Sequence, residues 1–131
     1  MASIFTKIIH REIPAYIVAE DDHHIAFLDI NPLMRGHTLV VPKREEDYLF
    51  DLTSKEVSHL MVFAQRVATA IKAAVPCQRI GVSVIGLEVP HAHVHLIPIN
   101  TTRDINFANP KLALSKEEFI AITEKIRASF N

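Results

Sequence analysis

Three imidazoles stand at two-residue spacing in the stretch PHAHVHLIP, Pro90 to Pro98: His91, His93 and His95. In an extended chain, residues two apart point to one side at about 6.5 to 7 Å, so these rings form a row while Ala92, Val94 and Leu96 face away. Such an alternation predicts burial of the apolar side and a cleft or solvent beside the histidines. Two chemistries suit the row. Histidines at i and i+2 can ligate zinc when a third ligand comes from elsewhere, but Cys77 is the sole cysteine and Glu88 the nearest acid. Alternatively, imidazoles donate hydrogen bonds to phosphoryl oxygens while one of them attacks phosphorus. The second reading uses all three rings, and we expect a phosphate site with no metal.

The elements around the row follow from periodicity. Ser3 precedes Ile4, Phe5, Ile8 and Ile9, one helical face, and Pro14 is expected to close this short helix. AYIVAE and HIAFLD are β-rich runs joined by the polar DDH, and GHTLVVP, opened by Gly36 and closed by Pro42, adds a third strand. Three consecutive antiparallel strands are predicted. Thr53 and Glu56 form a capping box ahead of Val57, Leu60, Met61, Ala64, Val67, Ala68, Ile71 and Val75, a stripe that reads as core, and Pro76 ends the helix. RIGVSVIG and HAHVHLIP make a second hairpin, and INTTRDINFANP is a loop. Ser115 and Glu118 open a further boxed helix with Phe119, Ile122, Ile126 and Phe130 inward. The fold class is α+β, helices on an antiparallel sheet, in one domain spanning residues 1–131.

Composition narrows the setting. With 131 residues, 49% hydrophobic, 22% charged and a formal net charge of -1, the chain reads as a compact protein with no basic surface suited to a nucleic acid. Cys77 alone cannot form an internal disulfide, and MASIFTKIIHREIP is broken by Lys7, His10, Arg11 and Glu12, which leaves no signal-peptide core. No apolar run reaches the roughly 18 residues of a membrane span. A cytoplasmic protein is the expectation.

HAHVHLI resembles the His-apolar-His-apolar-His-apolar-apolar signature of the HIT (histidine triad) family of nucleotide hydrolases and transferases. Its third histidine, His95, stands where the uridylyltransferase relatives usually carry glutamine, which implies a hydrolase-type member. The run from Ile4 to Pro32 and the segment GHTLVVPK are similar to the histidine triad nucleotide-binding (Hint) branch, so recognisable segments cover most of Ile4 to Pro98. The resemblance implies a HIT-like fold: about five antiparallel strands, one long helix, and short N- and C-terminal helices. Residues 99–131 would be a C-terminal loop and helix extension, shaping the leaving-group side or capping the core or a dimer interface.

What the resemblance implies for single residues is specific. His93 matches the nucleophile that attacks the α-phosphorus, with the carbonyl of His91 fixing its tautomer, while His95 and His37 match donors to phosphate oxygens. Phe5, Ile8, Ile13, Phe27 and Ile30 match the base pocket and Asp29 the ribose-binding acid. His10, His23, His24 and His59 match no role and are expected at the surface. The loop before the triad departs from the family: Leu87 replaces a glutamine, Glu88 a serine or threonine, and Ser83 stands near the expected asparagine. Leucine offers neither donor nor acceptor, so Glu88 is the candidate leaving-group acid if it points into the site. The implied activity is hydrolysis of purine nucleotide derivatives, phosphoramidates or adenylated amines, through a nucleotidyl-histidine, by a homodimer without a cofactor. A dinucleoside polyphosphate hydrolase, or a nucleotide-binding protein with little turnover, is the alternative.

Overall fold

The structure, a computed structural model, describes residues 2–131. Five strands form one antiparallel sheet in the order β1-β2-β3-β5-β4: β1 Ile17–Glu20, β2 His24–Leu28, β3 Thr38–Pro42, β4 Arg79–Ser83 and β5 Val94–Ile99. Three helices accompany it: α1 Ile4–Ile9, α2 Ser54–Ala74 and α3 Lys116–Ser129. The α+β architecture and the three consecutive antiparallel strands agree with expectation.

Strand periodicity divides the sheet into two apolar faces. Ala26, Leu28, Val40, Val94 and Leu96 join Leu60, Phe63, Ala64, Val67 and Ile71 of α2 and Phe119 and Ile126 of α3 in the larger core. Ile25, Phe27, Leu39 and Val41, the alternate positions, face the other way and pack with Phe5 and Ile8 of α1. Both α2 and α3 begin with complete capping boxes, Thr53 with Glu56 and Ser115 with Glu118. These satisfy N-terminal amides that a helix cannot pair internally.

Several details differ from the sequence reading. Helix α1 ends at Ile9, before Pro14, because Arg11 takes a left-handed conformation (φ 62°) and its amide returns to the Ile8 carbonyl. Met61 is 39% exposed while Phe63 is buried, so the inner stripe of α2 lies slightly to one side of that predicted. His24 is buried rather than superficial. Its position in β2 has the same parity as Ala26 and Leu28, which turns the ring onto Phe63 at a centroid distance of 5.2 Å, with Nδ1 3.0 Å from Asp21 Oδ1. His10, His23 and His59 lie at the surface as expected. The loop after β5 contains a 3-10 turn at Thr102–Ile105.

Gly36 opens β3 with φ +90°, in a turn that also aims the next residue, His37. A Cβ there would lie 3.0 Å from Val75 Cγ2 and 3.2 Å from Pro98 Cγ. Strain and clash act together, so Gly36→Ala should lower the unfolding free energy by about 2 kcal/mol in urea titration.

Candidate active site

Beside α1, on the sheet face away from α2, lies a cavity of about 460 Å³. Its lining includes every predicted base-pocket residue, Phe5, Ile8, Ile13, Phe27 and Ile30, together with Asp29, His37, Glu88, His93 and His95. His91 is the one predicted site residue outside this lining. Its ring is 0% exposed, with Nε2 2.8 Å from the Pro42 carbonyl and Nδ1 2.7 Å from Ser3 Oγ.

The expected row of three is therefore a row of two. Regular pairing begins only at Val94, where β5 meets Val40 of β3, and the preceding residues bond differently. The ring of His91 takes the Pro42 carbonyl, and the Ala92 amide bonds to the Glu46 carbonyl at 2.6 Å. Both departures leave the His91 carbonyl free of the ladder. It accepts a hydrogen bond from His93 Nδ1 at 2.7 Å.

That contact fixes the chemistry of His93. A carbonyl oxygen can only accept, so Nδ1 carries the proton and a neutral ring keeps its lone pair on Nε2. No described residue bonds to this Nε2, and no buried side-chain nitrogen or oxygen among the described residues lacks a partner, so Nε2 is reached from the cavity. Phe5 meets the ring edge-on at 4.9 Å and holds its tilt. The tautomer of His91 is fixed in the same way: Nε2–H donates to Pro42, and Nδ1 accepts from the Ser3 hydroxyl.

A second chain of donors runs through His37 and His95. The Leu33 amide donates to His37 Nδ1 at 3.0 Å, which places the ring proton on Nε2. That nitrogen lies 3.0 Å from His95 Nδ1, which must then accept, so the His95 proton sits on its own Nε2. Again no described residue bonds to that atom. The result is an N–H donor aimed into the cavity next to the free nitrogen of His93, the two rings 4.9 Å apart.

Burial keeps this pair uncharged. It pushes His37 down to about 3, with His95, Lys111 and His93 adding repulsion, and His95 down to about 4, with His93 adding. Burial likewise lowers His91, against the favourable Pro42 carbonyl. Asp29 is pushed up from the ordinary carboxyl range by burial, although the Asn31 amide bonds its Oδ1 at 2.8 Å. Its backbone is pinned to the histidine chain, the Asp29 amide donating to the His37 carbonyl at 2.9 Å.

Asp29, His37 and His95 bring three possible ligand atoms within 4.8 Å of one another. The hydrogen bonds oppose a metal there. Ligation through His37 Nε2 would require the proton on Nδ1, where it would collide with the Leu33 N–H.

Sequence reasoning missed four contributors. Ser3 was read only as a helix start, and Pro42 only as a strand end. Phe107 lies in the predicted loop INTTRDINFANP and Lys111 directly after it, in the extension expected to shape the leaving-group side or to cap the core or a dimer interface; neither is singled out by the sequence, yet both line the cavity. Phe107 packs edge-on against His95 at 4.8 Å. Glu88 stands at the cavity mouth, exposed, and no hydrogen bond or ion pair among the described residues holds it.

A fold of this kind, with paired neutral histidines beside an apolar pocket, defines a histidine-triad protein. The chain belongs to the HIT family: the HIT domain model matches residues 10–102. A HIT-like protein of Borreliella burgdorferi is 36% identical over 131 residues, covering 94% of each chain. A Schizosaccharomyces pombe protein named adenosine 5'-monophosphoramidase is 32% identical over 129 residues, covering 96% of each. The crystal structure of a Hit-like protein from Bartonella henselae superimposes with a TM-score of 0.84 at 33% identity, over 98% of this chain and 96% of that one.

The buried histidines couple stability to pH. An unfolded histidine titrates near 6.5, whereas folded His37 stays neutral down to about 3, so below pH 6.5 the unfolded chain binds the extra proton. Stability contributed by neutral His37 is complete above that value and declines as pH falls. Between about pH 7.5 and about pH 5 the loss for this group is about 2 kcal/mol, and His37→Gln should remove that part of the slope in denaturant titrations.

Proposed function

We propose that the protein hydrolyses purine nucleotide derivatives at the α-phosphorus, with nucleoside phosphoramidates and adenylated amines as the substrate class. The observation that carries this reading is the unpartnered Nε2 of His93, opposite an Nδ1 committed to the His91 carbonyl. Phe5, Ile8, Ile13, Phe27 and Ile30 receive the base, and Asp29 accepts hydrogen bonds from the ribose hydroxyls. The lone pair of His93 attacks phosphorus. As the P–N bond to the amine breaks, the Nε2–H of His95 stabilises the charge growing on the phosphoryl oxygens. Glu88 acts as the general acid, its carboxyl proton passing to the departing amine. Water then attacks the nucleotidyl-histidine, the bond between phosphorus and Nε2 breaks, and the Glu88 carboxylate takes the proton that water loses.

Charge favours amines over polyphosphates as leaving groups. The cavity offers one permanent cation, Lys111, beside the Asp29 carboxyl, and two of its histidines are held neutral. A dinucleoside polyphosphate would bring several negative charges to a site that cannot balance them. The name of the fission-yeast relative supports the same preference.

Two further parts of the proposal concern setting. No helix among the described residues is long and apolar enough to cross a membrane; a cytoplasmic setting is proposed on the lone free cysteine, Cys77, which suits a reducing compartment. We also propose a homodimer. Val82, Val84, Ile85 and Leu87 form an exposed apolar run along and just after β4, an edge strand of the sheet.

Turnover tests the central claim. His93→Ala should lower kcat on adenosine 5'-phosphoramidate by about a thousandfold or more while holding AMP within about threefold of wild type by calorimetry. Retained turnover would remove His93 as nucleophile, and a wild type that binds AMP without turnover would favour the binding-protein reading. For Glu88→Gln, kcat should fall about a hundredfold on an alkylamine phosphoramidate and far less on one whose amine leaves without protonation. An equal loss on both would show that Glu88 is not the acid.

A further inference from the structure

The segment after β5 reaches back over the site. Leu112 donates its amide to the Pro32 carbonyl at 2.8 Å, tying the segment to the connection between Asp29 and His37. Phe107 lies against both histidines of the donor chain, 4.8 Å from His95 and 6.2 Å from His37. Between these anchors the backbone folds into a tight turn, with the Ala108 amide on Asn106 Oδ1 and the Asn109 amide on the Asn106 carbonyl.

Lys111 completes this turn. Its Nζ donates to the carbonyls of Phe107 at 2.7 Å and Asn109 at 3.2 Å, which takes two of its three N–H bonds. An ammonium held by two carbonyls has a set position, unlike a lysine ranging freely in solvent. One N–H remains, and the side chain borders the cavity that His37, His93 and His95 also line. Among the described residues of that lining it is the one with a permanent positive charge.

A phosphoryl group entering the cavity carries at least one negative charge. The histidine donors supply hydrogen bonds without charge, since a proton on either would be opposed by burial and by the other rings. A counter-charge must come from elsewhere. We propose that Lys111 is the counter-ion of the bound phosphoryl group and restricts the site to nucleotides whose α-phosphoryl is anionic. This inference rests on the nucleotide reading above and adds to it a residue beyond the triad. The C-terminal segment thereby becomes part of the binding site, and substrates are selected for charge at the phosphoryl group as well as for shape in the base pocket.

The test separates phosphate recognition from support of the turn. Affinities for AMP and for adenosine are measured by calorimetry on wild type, Lys111→Gln and Lys111→Arg at two salt concentrations, with kcat and KM on adenosine 5'-phosphoramidate. Glutamine keeps a donor for the turn carbonyls and loses the charge. Because Lys111 is partly open to solvent, the expected loss is about tenfold in AMP affinity and in kcat/KM. Adenosine affinity should stay unchanged, Lys111→Arg should keep AMP within about threefold, and salt should weaken AMP binding less in Lys111→Gln than in wild type. Equal weakening of AMP and adenosine would assign Lys111 a purely structural role, and no change in either would remove it from the site. Both overturn the proposal while leaving the nucleotide reading standing. A wild type that binds neither ligand overturns the two together.

Discussion

The site depends on one hydrogen bond, from His93 Nδ1 to the carbonyl of His91. An imidazole has two nitrogens of nearly equal basicity, and without a partner the proton exchanges between them. The carbonyl removes that freedom and leaves Nε2 as the exposed base. Its availability is a property of the fold, since a carbonyl in a paired strand would already accept from its neighbour. Here the ladder stops at Val94, and the buried ring of His91, clamped by Ser3 and Pro42, holds the preceding backbone instead. The side chain of His91 never meets the cavity, yet it sets the proton on the ring that does.

The same logic gives the donor chain its direction. The Leu33 amide can only donate, so each bond from Leu33 to His37 to His95 must run one way and end in an N–H at the cavity. Burial makes the arrangement robust, because a proton on either ring would land on a nitrogen that already accepts, breaking that bond and stranding a charge. Neutrality has a cost. A neutral donor stabilises an anion less than an imidazolium would, and this deficit gives the nearby ammonium of Lys111 its significance.

Much of this was legible in the sequence where a local rule applied. Period-two alternation in HIAFLD and TLVVP assigns Phe27 and Leu39 to one face and Leu28 and Val40 to the other, and both capping boxes mark their helices. The residues that the resemblance groups into a base pocket, with Asp29 and His37, border one cavity. The failures are tertiary. Extending the alternation back to His91 presumed a strand, but the partner of Ala92 is Glu46, which no spacing within the stretch reveals. His24 is expected at the surface only because the resemblance gives it no role, although its parity with Ala26 and Leu28 carries the contrary signal. No periodicity connects Phe107 or Lys111 to His95. Only the return of the chain after β5 brings them there.

The two faces of the sheet carry different obligations. Toward α2 and α3, side chains such as Val40, Val94 and Leu96 have only to pack, and a change of shape there acts through stability alone. Toward α1 the apolar residues serve twice, since Phe5 and Phe27 fill the smaller core, stack edge-on at 5.4 Å and border the cavity. Phe5 also holds His93 in place. A methyl group lost from this face therefore alters both the shape of the cavity and the packing that tilts the His93 ring. The long helix lies on the opposite side of the sheet, so the core it builds is largely separate from the residues that line the cavity.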